Sequence, residues 1–243
     1  MRSYLPIFGA IMMLGFSNGA SAEEFTREQL VDIIRETLVS QPDILEEALA
    51  ALEVKRQNDA NNKTLAALNK NQNAIQNSDY NIVMGNPNGD VTLVEFFDYN
   101  CGYCKRALEN VLTLIEEDPN LRVVMKEFPI LSQGSAEAAQ VAIAVNMQAP
   151  EKYGEFHGRL MTSTGSIGRV QATELAREMG FDMDQLQRDL GSDYVAKSVE
   201  EVYAIARDLG LNGTPSFIVG DQLVPGYVDA DAMRELIANA RGS

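Results

Sequence analysis

The sequence holds two cysteines, Cys101 and Cys104, within Val94-Glu95-Phe96-Phe97-Asp98-Tyr99-Asn100-Cys101-Gly102-Tyr103-Cys104-Lys105. An apolar, strand-like run precedes them and an amphipathic, helix-like run follows. Two sulfurs at i and i+3 of a helix start can close a tight disulfide, and the helix N-terminus favours the thiolate when that bond opens. The spacing points to redox chemistry. A stabilising role explains it poorly, because closing so short a loop removes little entropy from the unfolded chain. Metal binding is the competing chemistry: this thiol pair can hold soft Cu(I), whereas Zn(II) needs further ligands that the neighbouring sequence does not offer.

Cys101, at the helix start, is the expected nucleophile. Cys104, one turn further in, would resolve a mixed disulfide by attacking the Cys101 sulfur. Gly102 and Tyr103 lie between them, tune the redox poise and bring no positive charge. Glu95 sits six residues before Cys101 inside the apolar strand, where a carboxylate is costly unless it works or pairs, and burial should raise its pKa. Lys126 on the neighbouring strand is its candidate ion-pair partner. His157, the single histidine, reads as a packed residue of a helix. The seven methionines from Met84 onward are scattered, which suits packing or groove lining better than a Met-rich copper site.

The elements around this pair follow from hydrophobic periodicity. Val91 to Phe97 reads as a central strand covered on both faces, with a short edge strand at Tyr80 to Met84 and a Gly85–Gly89 turn before it. A helix carrying Cys104, Leu108, Val111, Leu112 and Ile115 runs to Asp118-Pro119. Leu121 to Phe128 forms the next strand, completing a β-α-β unit. From about 132 to 209 only helical signals occur. A hairpin then joins Thr214–Val219 to Gln222–Val224 across Gly220-Asp221. The last helix has Asp229 as N-cap and Met233, Leu236, Ile237 and Ala240 as its apolar face.

Ahead of this domain, residues 23–78 read as a helical arm. Leu30, Ile33, Ile34 and Leu38 form one stripe, and Leu45, Ala48, Leu49 and Leu52 form another after Gln41-Pro42. The polar stretch Lys55 to Lys63 reads as a break that could serve as a flexible joint. Isolated helices of this kind are marginal in water, so the stripes must pack on the main domain or on copies of the chain; self-association is the preferred expectation. Residues 1–22 read as a secretory signal peptide, with Arg2, an apolar stretch from Leu5 to Phe16 and a small-residue Ala20-Ser21-Ala22 site. The main domain is placed at 79–243.

The chain of 243 residues carries a formal net charge of −15, or −16 once Arg2 is removed with the leader. That balance argues against nucleic-acid or anionic-lipid binding. An exported, oxidising compartment fits a single cysteine pair used for chemistry rather than for stapling.

The β-α-β unit with Cys-x-x-Cys, the long helical insertion, Gly213-Thr214-Pro215, the hairpin and the final helix together resemble the DsbA-like branch of the thioredoxin superfamily. The resemblance covers about residue 81 to the C-terminus. The leader and helical arm further resemble ScsC-type proteins, named for suppression of copper sensitivity, some of which trimerise through that arm. The fold implied is an α/β thioredoxin fold with an all-helical insertion, preceded by the arm. The resemblance implies that Thr214-Pro215 is a cis-proline loop offering a backbone edge to substrate peptide. It also implies that Glu95 exchanges a proton with Cys104, and that the cofactor is the redox-active Cys101–Cys104 disulfide itself. The strongly oxidising members carry Pro-His between their cysteines, so this chain should hold a less stabilised thiolate and a less oxidising disulfide.

The function expected is a thiol–disulfide oxidoreductase of the Gram-negative periplasm. It would exchange, shuffle or reduce disulfides in unfolded or misoxidised clients, with a membrane redox partner resetting the site and the arm assembling a homo-oligomer, a trimer by resemblance. The alternatives are a monomeric DsbA-type dithiol oxidase and a Cu(I)-binding thiol protein of copper tolerance.

Overall fold

Positioning a reactive sulfur requires a rigid strand ending at a helix start, and the computed structural model, which describes residues 25–242, supplies one at the centre of a sheet. The leader expectation falls on residues 1–22, outside the described residues. The chain divides into two units, residues 1–56 and 57–243.

In the first unit, α1 (Arg27–Ser40) opens with a capping box: Thr26 Oγ1 accepts from the Gln29 backbone N–H, and the Gln29 side chain accepts from the Thr26 N–H. Pro42 ends it. None of the residues of α1 is buried, and Leu30, Ile34, Leu45, Leu49 and Leu52 are all exposed. The second helix, α2 (Asp43–Gln76), runs without interruption through 55–63. The expected joint is therefore helical: the stretch contains neither glycine nor proline, and polar residues lose a stripe without losing the backbone ladder.

In the second unit, a five-stranded sheet has the order β1-β3-β2-β4-β5. Strand β1 (Ile82–Gly85) lies at the edge, shorter than expected at its start, and pairs antiparallel with β3 (Leu121–Glu127). Strand β2 (Val91–Phe97) pairs parallel with β3 on one side and antiparallel with β4 (Ser216–Val219) on the other. The hairpin closes with β5 (Gln222–Pro225). Helix α3 (Gly102–Glu117) connects β2 to β3. The insertion comprises α4 (Gln133–Gln148), α5 (Pro150–Thr162), α6 (Arg169–Glu178), α7 (Met183–Leu190) and α8 (Asp193–Leu209), and α9 (Ala230–Arg241), capped by Asp229, closes the chain. This is the expected thioredoxin fold with an all-helical insertion.

Alternation along β2 and β3 feeds two cores. Leu93 and Phe97 with Val123 and Met125 pack against α3, α9 and the insertion. Val94, Phe96 and Val124 pack on the opposite face against Leu68 and Ile75 of α2 and Val202 and Ile205 of α8. The C-terminal part of α2 therefore packs within the second unit, residues 57–243. Two cations of β3 secure it. Lys126 Nζ donates to Ala74 O at 2.7 Å and Arg122 Nη2 to Gln76 O at 2.7 Å, meeting the unpaired carbonyls and negative end of the helix.

Candidate active site

Strand β2 ends at Phe97, and the short turn that follows sets the sulfur. The Asp98 carbonyl accepts from the Cys101 N–H at 3.0 Å, while the Asp98 carboxylate accepts from the backbone N–H groups of Asn100 and Leu131 at 2.8 and 3.0 Å. Asn100 fastens the turn to the insertion. Its Nδ2 donates to Ser135 Oγ and Ile167 O, both at 2.9 Å, and its Oδ1 accepts from the Ile167 N–H at 2.7 Å. Neither residue announced this role in the sequence, where Asp and Asn before a helix read simply as turn formers.

Cys101 is the N-cap of α3 and its sulfur accepts from the Cys104 N–H at 3.4 Å. Both cysteines are free thiols, so this is the reduced form. The Cys101 thiol is pulled down from 9.0 to about 5. A hydrogen bond from the Cys104 side chain is the largest cause; the Thr214 hydroxyl and the N–H groups of Cys104 and Tyr103 add to it, against the opposing effect of burial. The thiol can donate to Thr214 O, 3.1 Å away, but the thiolate has no proton to give. The buried Thr214 hydroxyl, which has no hydrogen-bond partner in the thiol form, is free to donate to the thiolate instead. Cys104 is pushed the opposite way, first by burial, then by its hydrogen bond to Cys101 and by the charge of Glu95. The environment thus separates a thiol that ionises readily from one held protonated.

The Thr214–Pro215 peptide is cis. It stands on the Cys101 side of β4, and the Gly226 N–H donates to Pro215 O at 2.9 Å, tying the end of β5 to the same loop. A cleft of about 500 Å³ runs along this segment, lined by Gly213, Thr214, Pro215, Leu223, Pro225 and Gly226 among others.

Glu95 is buried on the α3 face of β2, and its Oε1 has no hydrogen-bond partner. Burial, with the negative charge at Cys101 adding to it, raises its carboxyl from 4.5 to about 8. The expected ion pair with Lys126 does not form. In the parallel register Glu95 stands beside Met125 and Lys126 beside Phe96, so the two side chains point to opposite faces of the sheet. Lys126 pairs instead with Glu201 Oε1 at 3.2 Å.

Three further buried groups surround His157. Tyr99 and Tyr153 each donate a hydroxyl to Glu127 Oε1 at 3.1 Å, and Tyr99 Oη lies 3.2 Å from His157 Nδ1. With the Tyr99 proton committed to Glu127, His157 Nδ1–H is the donor to Tyr99. Burial drives His157 down to about 3, so it stays neutral and packs against Phe97 and Tyr153, as expected of a structural residue. Glu127 escaped attention in the sequence because a charged residue at a strand end ordinarily faces water. Among the described residues no cluster of three or more His, Cys, Asp and Glu side chains is arranged to hold a metal ion, so a metal at this site would have Cys101 and Cys104 as its ligands.

The fold is shared with known proteins. A family model described as a DSBA-like thioredoxin domain matches residues 92–238. A thioredoxin-like oxidoreductase from Silicibacter pomeroyi, of known crystal structure, is 44% identical with a TM-score of 0.68, over 71% of this chain and 99% of that one. A linker-deletion mutant of Proteus mirabilis ScsC is 27% identical with a TM-score of 0.69, over 91% of this chain and 99% of that one. Among curated sequences, the Na(+)/H(+) antiporter NhaA 1 of Salinispora arenicola is 26% identical over 163 residues. The match takes in 65% of this chain and 24% of the antiporter, so the chain spans about a quarter of that relative.

Proposed function

Because this chain belongs to the DSBA-like thioredoxin domain family of thiol–disulfide oxidoreductases, we propose that Cys101 and Cys104 exchange disulfides with client proteins in an exported, periplasmic setting. The observation that carries the reading is the division of labour between two sulfurs one helical turn apart: Cys101 low and aimed at Thr214, Cys104 buried and high.

The Cys101 thiolate attacks one sulfur of a client disulfide; the other client sulfur leaves as a thiolate and a Cys101–client bond forms. The freed thiolate can attack a second client disulfide, and the thiolate released there attacks the client sulfur held by Cys101, which leaves the client's bonds shuffled and expels Cys101 as the thiolate. Alternatively, Cys104 passes its proton to Glu95 and attacks Cys101, the client leaves reduced by two electrons, and the Cys101–Cys104 disulfide forms. A Glu95 carboxyl near 8 is matched to receiving and returning that proton near neutrality. The cis Thr214–Pro215 loop offers its backbone edge to an extended client segment. A membrane redox partner then resets the pair. Cys101 near 5 lies above the ~3.5 of the strongest oxidants, which supports a less oxidising disulfide.

The exposed stripes of the first unit favour a homo-oligomer, a trimer by analogy with ScsC-type proteins, over a monomeric oxidase. Several sites around one client would raise the local thiol concentration. Activity on scrambled against reduced ribonuclease tests the chemistry: an isomerase rescues the scrambled form, whereas a pure oxidase acts on the reduced form alone. Light scattering on the chain lacking residues 1–22 tests the assembly, and a one-copy mass rejects it.

A further inference from the structure

Beside the sulfurs lies a cluster that the exchange chemistry leaves unused. Tyr103, between the cysteines, is 54% exposed, and Tyr227, just past β5, is 40% exposed. The Arg106 guanidinium carbon sits 4.2 Å from the centre of the Tyr103 ring and 5.9 Å from that of Tyr227, and the two rings are 6.4 Å apart. Asn110 Nδ2 donates to Tyr227 Oη and to Val228 O, both at 3.1 Å, which fixes the second ring. The Gly226 N–H bound to Pro215 O joins that ring's segment to the cis-proline loop. The cluster therefore bridges the two pieces of chain that form the site.

Stacking on an aromatic face orients a guanidinium but leaves its N–H edge free. Arg106 makes no hydrogen bond or ion pair within the described residues, in a chain of net charge −15. Lys105, its neighbour, is already spent on Ser163 O at 2.9 Å. A fixed, unpaired fork of donors at the rim of a peptide-binding edge matches a carboxylate, which it can grip with two parallel hydrogen bonds.

We propose that Tyr103, Arg106 and Tyr227 form a specificity rim that selects client segments bearing Asp or Glu next to the cysteine undergoing exchange. The inference rests on the thiol-exchange reading above and deepens it. The acidic surface of the rest of the chain repels such clients, so the rim orients them toward Cys101 at close range rather than collecting them from afar.

The test uses the full reduced chain and two peptides, each carrying one cysteine as a mixed disulfide with nitrothiobenzoate. One has Asp and Glu beside the cysteine, the other Asn and Gln. Cys101 attacks the peptide sulfur and the coloured thiolate leaves, so stopped-flow absorbance reads the step. The acidic peptide should react about two- to fivefold faster at low salt, the range of an exposed ion pair, and the ratio should shrink as salt is added. Within one variant the ratio cancels any change in the nucleophilicity of Cys101. Arg106→Lys should keep part of the preference, and Arg106→Glu should invert it. Equal rates in the unaltered chain, or a preference that survives Arg106→Glu, overturn the inference while leaving the exchange chemistry standing. Release of the coloured thiolate from neither peptide would overturn both.

Discussion

The Cys101 sulfur lies 3.1 Å from the Thr214 carbonyl oxygen, 113 residues away in sequence, and this approach joins the reactive thiol to the cis peptide at Pro215. The helix start alone would give Cys101 two backbone donors. The loop adds a buried hydroxyl that has no hydrogen-bond partner in the thiol form and so is available to the thiolate.

Thr214→Val removes that hydroxyl and keeps the shape. A hydrogen bond to a charged group is worth about 1.5–3 kcal/mol, and 1.36 kcal/mol corresponds to one pKa unit. Cys101 should therefore titrate about one to two units higher, read by ultraviolet thiolate absorbance. An unmoved titration would show that the α3 N-terminus and Cys104 suffice.

The lowered Cys101 has a consequence for stability in the reduced form only. Its folded value of about 5 lies below its ordinary 9.0, so the thiolate's contribution is full above pH 9 and is lost as pH falls through 5. The oxidised protein has no such group. The gap between the urea midpoints of reduced and oxidised protein should shift in favour of the reduced form from pH 5 to pH 9; parallel curves would contradict the assignment of Cys101 as the stabilised thiolate.

Glu95 works with the opposite sign. Its carboxyl is raised from 4.5 to about 8, so the fold prefers the protonated acid and loses stability as pH climbs through that window. Glu95→Gln should remove this slope and stabilise the reduced protein at pH 8 by about 3–5 kcal/mol relative to its effect at pH 4.5. It should also slow release of a Cys101-bound peptide, since the Cys104 proton loses its acceptor. A variant that titrates like the unaltered chain would exclude Glu95 as the buried acid.

The two ends of α2 should answer differently to mutation. Ile75, 2% exposed, fills the core opposite the site, and Ile75→Ala should cost the catalytic unit about 2–4 kcal/mol, measured by urea unfolding. Leu49, 56% exposed, has no such role within one chain. Leu49→Glu with Ile34→Glu should leave that unfolding curve in place and lower the solution mass to one copy. An unchanged mass would remove the arm as the site of assembly.

Much of the architecture could be read from the chain because it depends on local periodicity. Val91–Phe97 had to be a central strand, α3 had to begin at the cysteines, and Gly220-Asp221 had to turn the hairpin. The expectation that Cys101 is the nucleophile followed from its place at a helix start, and the arm's break at Pro42 followed from backbone sterics. What local pattern could not carry was which distant groups meet. Strand register put Glu95 and Lys126 on opposite faces and gave the lysine to Glu201. Burial against α8 drew the end of α2 into the catalytic unit, and long-range packing turned Glu127, Tyr99 and Asn100 into supports of the site. Periodicity reports which face of an element is apolar; only the folded chain decides what that face touches, because those contacts join residues tens to more than a hundred positions apart.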